Sequence, residues 1–183
     1  MSEQDLEFQS VYEAYQPRIL RYVARIAGAA EAEDLTQEVF VKVARSLNTF
    51  RGDSQLSTWI YRIATNTAID RMRAASFQQE VESPSAEESG DEDEKEAAGE
   101  EERFSPERRL MRKEMQDCFM DCLNRLPVSY RAVVVLSELE EFSNQEIANI
   151  LGLSLDVVKI LLHRGRTRLL QALRENCKAE DWL

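Results

Sequence analysis

Residues 143–169 read SNQEIANILGLSLDVVKILLHRGRTRL. Ser143 and Glu146 stand at the S-x-x-E spacing in which each side chain caps the other residue's backbone N–H, so a helix starts there. Ile147, Ala148, Ile150 and Leu151 give that helix an apolar face. Gly152 supplies the residue that a tight left-handed turn needs, and Ser154 caps the helix that follows. In this second helix Val157, Val158, Leu161 and Leu162 are spaced to pack inward, while Lys159, His163, Arg164, Arg166 and Arg168 make the outward side positive. A short helix, a glycine turn and a basic second helix predict a helix-turn-helix, whose second helix enters the major groove of duplex DNA. Lys159 and Arg164 suit the acceptors of guanine edges; Arg166 and Arg168 suit phosphates, which fix position without reading sequence. The competing reading is an ordinary helical hairpin with a solvated basic face, and it leaves the capping box and the turn glycine as coincidences.

The remainder of the chain is helical by the same criteria. Ser105–Pro106 reads as a cap followed by proline at the first helical position, and Met111, Met115, Cys118, Phe119, Cys122 and Leu126 then mark one face. Pro127 punctuates, and residues 128–140 form a further helix before Ser143. In the N-terminal half Leu6, Val11, Tyr12, Tyr15, Ile19, Val23 and Ile26 recur at threes and fours. Pro17 is expected to begin a second helical stretch there, and Gly28 to end it. Leu35, Val39, Phe40, Val43 and Leu47 mark the next helix, Asn48–Ser57 a polar loop, and Trp59, Ile60, Ile63, Ala64 and Ile69 a long helix after it.

Between the two halves lies SPSAEESGDEDEKEAAGEEER, residues 83–103. Residues 78–105 carry 12 Asp/Glu against 2 Lys/Arg, whereas 1–77 carry 10 against 9 and 106–183 carry 12 against 12. The acidic pI of about 4.7 therefore belongs to one segment, and it does not argue against nucleic-acid binding by the flanking parts. The segment has no periodicity and few bulky apolar residues, so it is expected to be a disordered linker, held extended by its own charge. The fold class that follows is all-α: two small helical domains, 1–77 and 106–183, joined by a flexible acidic linker at 78–105, with the C-terminal domain a helix-turn-helix.

Composition excludes several alternatives. The apolar runs are short (AVVVL, 132–136, is typical), so no segment is expected to span a membrane. The first residues, MSEQDLEF, have neither the basic nor the apolar part of a secretory signal. No glycine-rich phosphate loop appears, and the carboxylates crowd the linker instead of meeting a base and a nucleophile, so catalysis is not expected. Three cysteines without a signal suit reduced thiols in a cytosol. Cys118 and Cys122 lie one turn apart on the apolar face, where packing as small hydrophobes is the first reading; metal or redox chemistry with Cys177 is the second. His163 is a poor partner for such a site: 14 residues of continuous helix put it about 21 Å from Cys177. No metal or cofactor is assigned.

The second informative stretch is EAEDLTQEVFVKVARSLNTFRGDSQLSTWIYRIATNTAIDRMR, residues 31–73. Its polar loop leads into a helix presenting Trp59, Tyr61, Arg62, Asn66, Arg71 and Arg73. Aromatics interleaved with Arg and Asn can stack on unpaired bases and follow a single-strand backbone. Core packing is the rival reading for Trp59 and Ile63.

From Asp34 to Arg73 this stretch resembles the second region of bacterial sigma factors, in particular the extracytoplasmic-function (ECF) group, and residues 123–169 resemble that group's fourth region, in the same order along the chain. The resemblance covers nearly everything except the acidic segment and the two ends. It implies a promoter-specificity subunit of RNA polymerase, working in the cytoplasm with core RNA polymerase and promoter DNA and taking no small-molecule substrate. It also implies restraint by an anti-sigma protein, in this family often membrane-attached. By resemblance, Asp34, Leu35, Gln37, Glu38 and Val41 dock on the polymerase. The loop with Phe50, Arg51, Asp53, Ser54, Ser57 and Thr58 captures a flipped base of the −10 element, and Trp59, Arg62, Asn66 and Arg71 hold the melted strand. Ser154, Lys159, His163, Arg164, Arg166 and Arg168 read the −35 duplex. One departure stands out: the family often has a small polar residue and an Arg where this chain has Ile160 and Leu161, which removes two −35 contacts. A stand-alone helix-turn-helix regulator is the alternative, but it has no use for a strand-melting surface. For the polyanion Glu87–Glu102 three roles are open: mimicry of nucleic acid inside the polymerase, shielding of Arg164–Arg168, or a solubilising spacer.

Overall fold

The computed structural model describes residues 3–82 and 106–177, with side chains for 8–73 and 110–177. The acidic segment 83–105, with the roles expected of it, lies outside the described residues. Among the described residues there are seven α-helices: α1 (Glu3–Ala27), α2 (Ala32–Ser46), α3 (Leu56–Glu82), α4 (Pro106–Asn124), α5 (Val128–Val134), α6 (Asn144–Leu151) and α7 (Leu155–Asn176). A 3-10 turn, Leu47–Thr49, follows α2, and a π-helical turn, Val135–Leu139, continues α5. No strand occurs among the described residues. Helix α4 starts at Pro106 as the proline predicts; α3 continues five residues past the boundary expected at 77.

Helices α1, α2 and α3 pack on one another around Ile19, Tyr22, Val23, Ile26, Leu35, Val39, Val43, Ile60, Tyr61 and Ala64. Pro17 does not divide α1. The helix runs through it, although proline removes one i→i−4 bond, because the buried face on either side of it is continuous. The chain turns only at Gly28, whose φ of +97° suits a residue without Cβ. Tyr22, absent from the expected stripe, is fully buried and hydrogen-bonds Thr65 at 2.7 Å; Tyr12, expected in the stripe, sits at its margin, 38% exposed with its ring edge-on to Phe40.

In the C-terminal half, α5 and α7 cross at Gly165, and α6 and α4 pack beside them. The inward stripe of α7 is Val158, Leu162, Gly165 and Leu169. Leu161 is only half-buried and Val157 faces solvent, so the expected four-residue stripe is rotated toward Gly165, the one position where two helix backbones meet without a Cβ between them. On α4, Met111 and Met115 are exposed and the buried part of the face begins at Cys122. Cys118 and Cys177 are not free thiols as expected but are joined by a disulfide, because α4 lies against the end of α7 and brings their Cα atoms to 6.0 Å.

The two halves pack together. Helix α6 lies on α3, and the ring of Phe142, just before α6, meets Tyr61 edge-on at 4.8 Å. Arg25 and Tyr61 both donate to the Glu140 carboxylate, Arg25 at 2.9 Å. Burial and the Glu140 carboxylate both push the Tyr61 phenol up, so it stays a donor across the neutral range. Arg131 spans the same boundary. Its guanidinium donates to the Ile26 carbonyl (2.7 Å) in the last turn of α1 and to the Asn124 and Leu126 carbonyls at the end of α4. Those carbonyls have no helical partner of their own. Burial lowers the Arg131 pKa, with three carbonyls as its compensation.

Candidate nucleic-acid interface

The helix-turn-helix is built as its sequence predicts. Ser143 accepts from the Glu146 N–H, and the Glu146 carboxylate accepts from the Ser143 N–H at 2.9 Å. Gly152 takes φ +65°, and Ser154 accepts from the Val157 N–H to start α7. With Val158 and Leu162 fixed inward, Lys159, Ile160, His163 and Arg164 are left on the outer surface of the first two turns and a half. Ile160 is 51% exposed, at one of the two positions where the resemblance leads one to expect a polar group. An exposed apolar side chain here can meet a thymine methyl in the major groove but cannot hydrogen-bond a base edge. Leu161, at the other position, is half-buried and turned partly toward the core.

The later basic residues have structural partners. Arg166 donates from Nε to Glu138 at 2.8 Å and from Nη2 to Ser137, tying α7 to the π-helical turn. The Arg168 guanidinium lies 4.8 Å from the centre of the Tyr130 ring. Both side chains remain exposed. Lys159 has only Asp156 at 4.0 Å, between two exposed groups, which holds it weakly.

On the other half, Phe50 leaves the 3-10 turn in an extended conformation and its ring packs on Trp59, centroids 5.1 Å apart. Gly52 (φ +73°) turns the loop, which leaves Arg51 and Asp53 exposed and Ser54 and Ser57 half-covered. Thr58 is buried beneath them and so supports the loop from inside. Trp59 is half-buried, between the two readings its position allowed; Ile63 likewise. Arg62 and Asn66 lie one turn apart on the exposed side of α3, whereas Arg71, also exposed, points the other way, toward α2. Arg71 is held by Glu31 (2.9 Å) and Glu38 (3.2 Å) of α2. Glu38 also pairs with Lys42, and these cations hold its carboxyl below the usual range. Asp34, Gln37, Glu38 and Val41 recur at threes and fours as one ridge of α2, with Val41 47% exposed; Leu35 lies fully inside, beneath the ridge.

Residues that pattern-reading missed are those defined by distant partners. Arg131, Glu140 and Phe142 join the halves, and Gly165 sets the α5–α7 approach; none belongs to a periodic stripe. An arginine amid the apolar run 128–136 and a glycine inside a basic helix were the available signals.

Two surfaces of different chemistry thus occupy one chain. Residues 11–78 match the Sigma-70 region 2 family and residues 116–169 the Sigma-70, region 4 family. The ECF RNA polymerase sigma factor SigW of Bacillus subtilis is 31% identical over 179 residues, covering 92% of this chain and 89% of SigW. The chain is an ECF sigma factor. Among other relatives of this sigma factor, the RNA polymerase sigma-H factor of Pseudomonas aeruginosa is 34% identical over 87% of the chain and 82% of its own length. The ECF RNA polymerase sigma-E factor of Escherichia coli K12 is 32% identical over 83% and 78%. Two solved structures share the fold. The sigma factor RpoE from Bartonella quintana, solved in complex with the anti-sigma factor NepR, superposes with a TM-score of 0.73 at 21% identity, covering 92% of this chain and 97% of RpoE. CnrH, solved with the cytosolic domain of CnrY, gives 0.63 at 20% identity, covering 92% and 88%. Among the described residues no helix is long and apolar enough to cross a membrane.

Proposed function

We propose that this sigma factor recruits core RNA polymerase through the α2 ridge, opens the −10 element on α3 and its preceding loop, and reads the −35 element as duplex with α7. The observation that carries the reading is the coexistence of two surfaces suited to two states of DNA. Phe50 and Trp59, in tilted ring contact beside exposed Arg62 and Asn66, can exchange their mutual contact for an unpaired base. Base capture offsets part of an unstacking cost of a few kcal/mol. Lys159, His163, Arg164 and Ile160 face outward from a helix-turn-helix, which suits base edges in a major groove.

Exposure supports the following residue roles. Asp34, Gln37, Glu38 and Val41 contact polymerase, with Leu35 packing the ridge from below. Arg51, Asp53, Ser54 and Ser57 shape the base pocket over Thr58. Arg71 serves the melted strand after giving up Glu31 and Glu38. Ser154, Arg166 and Arg168 position α7 on phosphates while Lys159, His163 and Arg164 reach bases. Chemistry resides in the polymerase, and this chain supplies none. It acts in the cytoplasm, and a protein of anti-sigma type, membrane-attached or not, holds it in reserve. The stand-alone regulator is set aside because both regions match sigma factors, not the helix-turn-helix alone.

Co-elution with core polymerase tests the reading. The wild type is expected to form a one-to-one complex, and Val41→Lys, on an exposed position, to lose it while keeping its helical circular dichroism. Absence of any complex, or tight specific binding of duplex DNA by the free chain, would overturn the proposal.

A further inference from the structure

Helix α4 carries Cys118 and Cys122 one turn apart on the side facing α7, and Cys177 ends α7 in an extended conformation (φ −102°, ψ 115°) with its N–H on the Leu173 carbonyl. The three sulfurs lie within 4.8 Å of one another. A disulfide joins Cys118 to Cys177, which uses two of them. The third, Cys122, is fully buried, yet its Sγ sits 3.8 Å from that of Cys177. A cysteine that serves only as a small hydrophobe has no reason to aim its sulfur at two others. Zinc binds thiolates at about 2.3 Å in a tetrahedron, which sets neighbouring sulfurs about 3.8 Å apart. The Cys122–Cys177 edge already has that length.

Cys118 is half-buried, so the cluster opens to solvent on its side and a water can complete the tetrahedron. Three thiolates around a divalent cation leave one net negative charge. Burial pushes the Cys122 thiol up, Arg125 opposes this and Asp121 adds to it; Arg125 also donates to Asn176, the neighbour of Cys177, at 2.6 Å. The charge therefore has a counter-ion fixed across the same two helices.

We propose that Cys118, Cys122 and Cys177 form a zinc site in the reduced protein, with the Cys118–Cys177 disulfide as its metal-free oxidised state. A phosphine reductant and water break the S–S bond, giving phosphine oxide and two thiols. Zinc then displaces three thiol protons and forms three Zn–S bonds. In the reverse direction a peroxide takes two electrons from the Cys118 and Cys177 thiolates and two protons from solvent; the S–S bond forms, water is released, zinc leaves and the freed Cys122 thiolate takes up a third proton.

The test uses the full chain. After phosphine reduction and desalting without oxygen, the protein is titrated with Co²⁺ and then Zn²⁺. One equivalent of cobalt should raise thiolate charge-transfer bands and tetrahedral d–d bands, which zinc bleaches; the oxidised chain should show neither. Cys122→Ser, and Cys122→Ala as a second variant, should lose the bands and bind zinc more than about a hundredfold more weakly, beyond what outer-shell changes cost. Both variants should still form the Cys118–Cys177 disulfide on oxidation. In the wild type, zinc should protect all three cysteines from iodoacetamide, a readout that needs no variant. A reduced wild type that takes up no stoichiometric metal, a Cys122 variant with unchanged bands, or alkylation of Cys122 while zinc stays bound would each overturn the proposal.

Discussion

Glu141 holds a left-handed backbone, φ +59°, at a position where glycine is the usual residue. It follows the π-helical turn, and the Phe142 N–H returns to the Leu136 carbonyl at 2.9 Å, so the segment ends as a Schellman-type cap. A residue with Cβ costs about 1–2 kcal/mol in this conformation. The geometry it enforces brings Glu140 and Phe142, one on each side, onto α3. Glu141→Gly should therefore raise stability by about 0.5–1 kcal/mol, read as a higher thermal midpoint; a lower midpoint would show that Glu141 contributes something other than strain. Gly165 is the opposite case. A Cβ built there would stand 2.8 Å from Val134 Cγ2 and 3.3 Å from the Tyr130 carbonyl oxygen, and Val134 is buried and β-branched. Overpacking costs about 1–3 kcal/mol, against about 1 kcal/mol that alanine gains in a helix, so Gly165→Ala should lose about 1 kcal/mol in chemical denaturation. Val134→Ala in the same chain should recover part of that loss if the clash is the cause.

At the scale of the element, α7 divides its cations between two tasks. Lys159, in the first turns, is held only by a weak exposed pair, whereas Arg166 and Arg168 are engaged by Glu138 and Tyr130. Lys159→Ala should cost about 1–3 kcal/mol at one base pair of the −35 element and relax selectivity there, measured as transcription from promoters varied position by position. Arg166→Ala should instead weaken all promoters alike and lower the salt dependence. Equal loss across sequences for Lys159→Ala would remove it from the base edges. This element was the most legible part of the sequence, because a capping box, a turn glycine and a serine cap are interactions among near neighbours. Helix α2 was legible from its apolar spacing, whereas its outer ridge came only from the family resemblance, which also included Leu35, a residue that lies inside. Pro17 misled because continuous burial of α1 outweighs one missing hydrogen bond, a balance that local propensity does not contain. The cysteine cluster and the Arg131 contacts were not legible beyond the residue types, since their partners lie 59 and 105 residues away in the chain.

Across the whole molecule, the two DNA-directed halves are clasped to each other. Glu140 takes hydrogen bonds from Arg25 and Tyr61, Arg131 closes the end of α1, and α6 covers one side of α3. On the proposed function, engagement of two separate promoter elements parts these contacts. Glu140→Gln removes the charge that Arg25 answers while keeping the side-chain shape. It should enlarge the radius of gyration in small-angle scattering and speed association with core polymerase; unchanged scattering would mean that the clasp rests on Arg131 and Phe142 instead. The central claim, that one chain serves duplex and melted DNA on behalf of a polymerase, is tested most directly by in vitro transcription from a randomised promoter library with purified core enzyme. The account predicts starts confined to templates sharing a −35 and a −10 sequence at fixed spacing, lost on Trp59→Ala with polymerase binding intact. Starts without a shared pair of sequences, or none at all, would contradict it.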